Sequence, residues 1–429
     1  MPTINRSTYL ARLLACGLPL AFSPTSPAAA GEPLEEIAGA RWVCAGGPGE
    51  AVARAQRARG EAGVVASQVL PNPSLRAEHQ GTLSNVSNGE ETILGVSVLL
   101  PIGGRRSLHK EAAQARREKA LADARATLFE SALAFREAYV VAATDQAKVE
   151  VLAEQQQALE RLGTTVAKLA KGGEASGYDL ARQQMQARLH RRVLESARAE
   201  FAGALRLLEA WTGTSVELRP VELANLAGGA VVSPEGLPAA RHPRVDSLEA
   251  ESLASSYDAR AARRRWVPDL DLFAGYRTST SGSNTDHGFA VTLSVPLTLF
   301  DHGQGEAAQA EAEGELARST AEMLRRQNES VRRSAASRLA VLEAGQRDLE
   351  QAASDALAIQ TNAARLYAAG EGTITELIDA FRTSEEARLG RIDLARETAN
   401  ARLSLMRFSG TQFDAGLDKE CGGAAGAPR

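Results

Sequence analysis

The chain has 429 residues, enough for two or three ordinary domains, but only 4% of them are aromatic. A composition so rich in alanine, arginine, glutamate and leucine favours long helices over a large globular core. The formal net charge of −4 is small for this length and no block of like charge stands out, which argues against a nucleic-acid partner.

The N-terminus, residues 1–30, has the features of a secretory signal peptide. Two arginines precede the apolar run LLACGLPLAF, and Ala28 and Ala30 then form a small-residue cleavage pattern. The alternatives are a frayed terminus or lipid attachment at Cys16. The apolar run ahead of Cys16 is short and interrupted by an arginine, which favours cleavage near Ala30.

Beyond the leader, no apolar run approaches the roughly 18 residues that a membrane-spanning helix requires, so any insertion must use strands. The mature chain keeps Cys44 near its start and Cys421 near its end. In an oxidising compartment they either pair and tie the termini together or stay as two free thiols. The sequence leaves both alternatives open because it does not give the distance that a disulfide requires.

Four segments alternate with period two, as strands do when one face is apolar and the other polar. Each is about as long as a tilted strand that crosses a bilayer, and polar, turn-rich links join them into two hairpins. A soluble β-sandwich would alternate in the same way. The predicted strands are 74–84, 91–101, 269–279 and 288–298.

Long segments with heptad spacing predict coiled-coil helices. Between Arg106 and Lys171 there is no proline and only one glycine, and Leu121, Leu128 and Phe135 are seven residues apart. A glycine-bearing turn ends each long segment, and a shorter helix follows it. The predicted helices are 106–171, 178–211, 305–369 and 374–408.

The chain repeats itself with a unit of nearly two hundred residues. PIGGRRSLHKEAAQA at 101–115 superimposes without a gap on PLTLFDHGQGEAAQA at 296–310, and GEASGYDL later matches GEGTITEL. Each unit would carry one strand hairpin and one helical hairpin. The predicted divisions are a signal peptide at 1–30, a first repeat at 31–212, a glycine- and proline-rich linker at 213–242, a second repeat at 243–410 and a tail at 411–429.

Strands inside a bilayer must pair all their backbone polar groups, so a barrel has to close. Four strands are too few to enclose a pore. Chains must therefore share a barrel: two would supply eight strands around a packed interior, and three would supply twelve, enough for a water-filled lumen.

The ordered set of motifs, present twice, resembles the TolC outer membrane factor family and is closest to its CzcC-like branch, which works with heavy-metal RND pumps. The resemblance is carried by NPSL before the first strand, by GGRR...KEAA and DHGQGEAA after the hairpins, and by the tips GEASGYDL and GEGTITEL. It implies a mainly α fold with a membrane β-barrel: a homotrimer whose twelve-stranded barrel, in outer membrane lipid, continues as a periplasmic α-helical tunnel.

The resemblance also implies a function. The family forms the passive exit duct of tripartite efflux systems, with a periplasmic adaptor (membrane fusion protein) and an inner-membrane transporter of RND or ABC type as partners, and without a cofactor. The exported substrate, whether a drug, a metal ion or a protein, stays open.

The second tip holds the candidate entrance site. Glu376 and Asp379 are three residues apart and so share one helix face. In a trimer they would place six carboxylates around the tunnel mouth, a ring that attracts cations, and they match the acidic entrance of the resembled family. The alternative is two solvated charges in the first turn of a helix. Thr373 with Glu376 also fits a capping box.

Asp179 and Tyr367 match an aspartate and a tyrosine that hold the entrance closed in the resembled family. Gly372 stands where that family has an arginine, so we expect a gate that opens more easily; packing along the helix seam is the alternative role of Tyr367. Gly173 and Gly370 lie where the tips would contact the adaptor, although helix termination alone also explains glycine there.

No motif predicts an enzyme or a metal site. The six histidines are scattered, no His/Cys cluster has metal-ligand spacing, and there is neither a GxSxG nor a phosphate loop. Two other functions compete with the duct: a structural periplasmic coiled coil with a soluble β-domain, and the periplasmic adaptor itself. The twofold repeat argues against the adaptor.

Overall fold

The computed structural model describes residues 33–82, 89–219, 222–228 and 242–411, together with Leu417, Lys419 and Cys421. The predicted signal peptide, with Cys16, Ala28 and Ala30, lies outside the described residues. So do most of the predicted tail and parts of the first hairpin turn and of the linker.

Seven α-helices and four strands follow one another in these ranges. They are α1 Glu36–Ala45, α2 Pro48–Gln68, β1 Ser74–Thr82, β2 Gly89–Leu100, α3 Arg105–Gly172, α4 Gly177–Thr212, α5 Pro243–Arg263, β3 Leu270–Ser281, β4 Asn284–Ser294, α6 Gln304–Ala368 and α7 Ile374–Ser409. The long helices α3 and α6 have 68 and 65 residues, or about 100 Å each. Among the described residues, no helix combines the length and the hydropathy needed to cross a bilayer.

Each predicted helix and strand has a counterpart in the structure. The four helices agree with their predicted bounds to within one residue, and three strands to within two. The prediction of 288–298 is wrong by four residues, since β4 begins at Asn284 and ends at Ser294. Gly282, with φ of 61°, forms a two-residue turn that starts the strand early, and Pro296 lacks the N–H that would prolong it.

Three helices, α1, α2 and α5, have no counterpart in the sequence prediction. Two of them belong to the repeat, because α2 begins at Pro48 and α5 at Pro243, the same 195 residues apart as the matched hairpin exits. Each repeat therefore consists of a short helix, a strand hairpin, a long helix and a second short helix.

Both repeats pack around α3. Near the strands, α3 contacts α2 and α5, where Ser247 on α5 donates a hydrogen bond to Asp123 at 2.6 Å. Further along, α3 contacts α4 and α7, where Gln155 donates to the carbonyl of Phe381 at 2.8 Å. The long helix α6 contacts α5 and then α7 in the same way. The two long helices thus end together at a tip, far from the sheet.

The strands form one antiparallel sheet in the order β1-β2-β3-β4. Its central pair, β2 with β3, joins the two repeats. One face is apolar and open to solvent, and Phe289 on it is 85% exposed. The other face carries ion pairs such as Arg277 with Glu91. Strands β1 and β4 are edges with no further partner in the described part of the chain.

A buried charged cluster fixes the N-terminal helix between the tip and the sheet. Arg136 on α3 is only 1% exposed, and its Nε donates to Glu36 on α1 at 2.6 Å. The other carboxylate oxygen of Glu36 accepts from the N–H of Ala227 at 3.0 Å. In the same core a disulfide joins Cys44 to Cys421, whose Cα atoms are 5.2 Å apart.

We expect the disulfide to stabilise the protein against unfolding. Reduction, or the double substitution Cys44→Ala with Cys421→Ala, should lower the free energy of unfolding by about 2 to 5 kcal/mol, because the bond closes a very long loop. Thermal melting of the detergent-extracted protein with and without reductant measures the loss. The double variant is the control, since reductant should not affect it.

Peptide mass spectrometry after alkylation checks the bond directly. Neither cysteine should react before reduction, and both should react after it. Alkylation of Cys44 in the unreduced, folded protein would contradict the pairing.

Candidate functional site at the helix tips

Left-handed glycines end both long helices. Gly173 follows α3 with φ of 82°, and Gly370 lies two residues after α6 with φ of 76°. A Cβ at either position would meet no atom within 4 Å, so backbone conformation, rather than crowding, calls for glycine. Both residues lie at the far end of the tips, and their contact with an adaptor stays a prediction.

A capping box begins each short helix after the tip. In the predicted box of α7, the Glu376 carboxylate accepts from the N–H of Thr373 at 2.9 Å, and the N–H of Glu376 donates to the Thr373 hydroxyl at 3.3 Å. Ser176 and Asp179 form the equivalent box at the start of α4. Helix termination and helix restart are therefore encoded twice, once in each repeat.

The two predicted entrance carboxylates share an exposed face of α7 but differ in their surroundings. Glu376 is bound into the cap, and the hydrogen bond from the Thr373 backbone lowers its pKa. Asp379 is exposed and has no hydrogen-bond or ion-pair partner among the described residues. Leu377, between them in sequence, is buried in the tip core. The structure therefore holds one carboxylate in place and leaves the other free.

Tyr367 and Asp179, the predicted gate links, lie close to each other. Tyr367 is 6% exposed and belongs to the apolar core of the tip, so burial raises its pKa, and the nearby Asp179 carboxylate adds to the rise. No aligned hydrogen bond joins the two groups, and among the described residues the buried phenol hydroxyl has no hydrogen-bond partner. Packing, the alternative role of Tyr367, is thus visible in the structure.

Arg182 is a tip residue that sequence reasoning missed. It lies one turn into α4, and its guanidinium donates to the Thr375 hydroxyl on α7 at 2.9 Å and to the Tyr178 hydroxyl at 3.3 Å. Its sequence equivalent is Asp379, because Gly173 matches Gly370 at the same spacing. The opposite charges at these two equivalent positions were the one feature of the sequence that could have pointed to Arg182.

His190 is a second missed residue. It is 3% exposed, between α3, α4 and α7. Its Nδ1 lies 3.0 Å from the amide oxygen of Gln156, and its Nε2 lies 3.4 Å from a carboxylate oxygen of Glu385. A lone histidine in a helical segment gives no sequence signal for such a contact.

In the described ranges, no group of three or more His, Cys, Asp or Glu side chains is placed to hold a metal ion. The site therefore consists of capped helix ends, exposed carboxylates and cross-helix links.

The sequence model of the family described as "Outer membrane efflux protein" matches residues 238–411. Among curated relatives, the nickel-cobalt-cadmium resistance protein NccC of Alcaligenes xylosoxydans xylosoxydans is 26% identical over 275 residues, which are 64% of this chain and 62% of that protein. The cobalt-zinc-cadmium resistance protein CzcC of Cupriavidus metallidurans is 24% identical over 372 residues, 82% and 84% of the two chains. The match therefore spans under two thirds of NccC but most of CzcC.

The fold is that of a solved outer membrane protein. The crystal structure of VceC from Vibrio cholerae aligns with a TM-score of 0.71 at 16% identity and covers 88% of this chain and 96% of that one.

We expect the substitution Asp179→Ala to ease opening of the entrance. It should raise the conductance of the reconstituted protein roughly twofold, less than the loss of an aligned hydrogen bond to a charged group would cause. Ser176→Ala is the matched control, because it weakens the same helix cap but keeps the carboxylate. Unchanged single-channel conductance in Asp179→Ala would rule out the gate link.

Proposed function

We propose that this chain, which belongs to the outer membrane efflux protein family, forms a trimeric exit duct for passive transport from the periplasm to the exterior. The family assignment confirms the predicted resemblance, the outer-membrane location with its periplasmic extension, and the prediction that the chain is not an enzyme. The structural coiled coil and the adaptor have no support in this family.

The open sheet is the observation that carries the proposal. Its apolar face exposes Phe289, Val291 and Leu293, whereas its opposite face carries Arg277 and Glu91. Apolar side chains facing lipid and charged ones facing water are the arrangement of a membrane barrel. Pairing β1 of one copy with β4 of the next would satisfy both edges and close a twelve-stranded barrel from three chains.

The helices α4 and α6 each have an outer side that is exposed in the single chain. Within one chain α7 lies between α3 and α6. Its equivalent in the first repeat, α4, packs along α3 and in the described part of the chain has only brief further contacts, such as those with α7. The free side of α4 exposes Met185, Leu189 and Val193, and α6 exposes Ile359 and Leu366. Packing α4 on α6 of the next copy would repeat the contact between α7 and α3 and continue the barrel as a helical tunnel.

The cargo that fits best is a divalent metal ion. In a trimer, Glu376 and Asp379 would surround the tunnel mouth with carboxylates, which attract cations. Because the cap lowers the pKa of Glu376, this carboxylate stays charged below the ordinary range of glutamate. The two relatives, named for resistance to nickel, cobalt, zinc and cadmium, support the same class of cargo.

The partners are those of a tripartite system. A duct has no energy source of its own, so we propose an inner-membrane transporter of the heavy-metal RND type. A periplasmic adaptor would dock around Gly173 and Gly370 at the tips. An ABC transporter is the alternative partner.

The mass of the protein tests the shared barrel. Extracted from outer membranes in detergent, it should have the mass of three chains by light scattering after correction for detergent. Three copies are the smallest number whose strands enclose a water-filled lumen. A monomer or a dimer would contradict the duct.

Ion selectivity tests the entrance. Glu376→Gln and Asp379→Asn should each lower the ratio of cation to anion permeability. One unit charge roughly 10 Å from the passing ion is worth about twofold in water, and each substitution removes three charges from the trimer, so we expect a loss of about eightfold. Reversal potentials across a salt gradient in planar bilayers measure the ratio. Glu315→Gln, an exposed charge near the sheet end of α6, is the control and should change nothing. Unchanged cation selectivity in the double variant of Glu376 and Asp379 would contradict the carboxylate ring.

A further inference from the structure

Two side chains of α4 reach α7 beside the tip. Arg182 donates to the Thr375 hydroxyl at 2.9 Å, and His190 faces Glu385 at 3.4 Å. No other polar side-chain contact joins α4 to α7 in the described part of the chain. The remaining contacts between these helices are apolar.

Hydrogen-bond partners fix the protons of His190. Glu160 accepts from the Gln156 amide at 2.8 Å and from Arg191 at 3.1 Å, and these bonds lower its pKa, so it acts only as an acceptor. Gln156 must then turn its amide oxygen to His190, which requires a proton on Nδ1. The Nε2 atom is left facing the Glu385 carboxylate. In the neutral ring a lone pair opposes that carboxylate, whereas the imidazolium forms an ion pair.

Both links join the first helical hairpin to the second. The tip of a duct widens only if neighbouring hairpins separate, and separation of α4 from α7 breaks both contacts. We propose that Arg182 and His190 are positioning residues that hold the two hairpins together and keep the entrance narrow. The proposal rests on the duct function, because a narrow entrance has a meaning only in a channel.

Single-channel recording tests the Arg182 link. Arg182→Met should raise the ratio of open to closed time by about three- to tenfold, the range for the net contribution of a typical intramolecular hydrogen bond. Arg182→Lys should restore part of the closure. Arg188→Met, on the exposed side of the same helix, removes the same charge without a known contact and should behave like the parent.

A double-substitution cycle identifies the partner. Thr375→Ala should match Arg182→Met, and the double variant should be no more open than either one, because all three remove one contact. Additive effects, or an equal effect of Arg188→Met, would overturn the Arg182 link.

Substitution of His190 tests its link. His190→Gln should raise the ratio of open to closed time by about twofold, because it removes the contact with Glu385. His109→Gln, an exposed histidine of α3, should behave like the parent. An unchanged ratio in His190→Gln would overturn the link.

Hydrogen exchange separates this proposal from the duct. In the detergent-extracted protein, Arg182→Met should speed amide exchange at 374–385 relative to Arg188→Met, whether or not the protein conducts. A parent that forms no channel would contradict the duct alone. Identical exchange in the two variants would contradict the links alone.

Discussion

The packing of four shorter helices onto α3 is the contact on which the rest of the structure depends. Near the sheet α3 holds α2 and α5, and beyond Arg136 it holds α4 and α7. Since α5 and α7 belong to the second repeat, this one helix positions both hairpins of strands and both tips. Where the first pair of helices gives way to the second, Arg136 binds Glu36 of α1, and Glu36 also binds the linker, so both pack in the same core. In the same region Arg407 of α7 pairs with Glu137 at 2.9 Å. A buried charge such as that of Arg136 is costly to leave unpaired, so removal of Glu36 alone would destabilise this core.

Duplication explains why one chain is an incomplete unit. The second repeat packs beside α3, whereas in the described part of the chain no element covers the outer side of α4 or of β1. In the proposed trimer, a second copy of the same chain would cover these open edges. Such a head-to-tail contact generates a ring when its rotation closes. The same asymmetry thus accounts for the open sheet and for the exposed Leu189 and Leu366.

The predictable parts of this fold are those with a local cause. Heptad spacing predicts the long helices to within a residue, a capping box marks the start of α7, and alternation predicts the hairpins. The predicted position of β4 was wrong because the turn at Gly282 determines where the strand begins and Pro296 prevents its continuation. The apolar alternation continues to Leu297 and therefore suggested a later end. The short helices α2 and α5 lack strong periodicity, although the repeat spacing of Pro48 and Pro243 marked them. Contacts such as Arg182 with Thr375 depend on how the two hairpins meet, which no local pattern contains.

In the proposed duct the tip would have to meet two demands that conflict. Attraction of cations calls for carboxylates at the mouth, but like charges around one axis would push the hairpins apart. The structure divides the demands among its residues. Glu376 commits one oxygen to the cap of α7, so part of its charge is balanced by the helix N-terminus. Asp379 has no partner among the described residues, so in the proposed duct it would be the carboxylate left to meet a passing ion. In the first repeat the equivalent of Asp379 is Arg182, whose positive charge binds the neighbouring hairpin. In the proposed duct, reversing one charge between the copies of a duplicated tip would therefore supply both the attraction and the restraint.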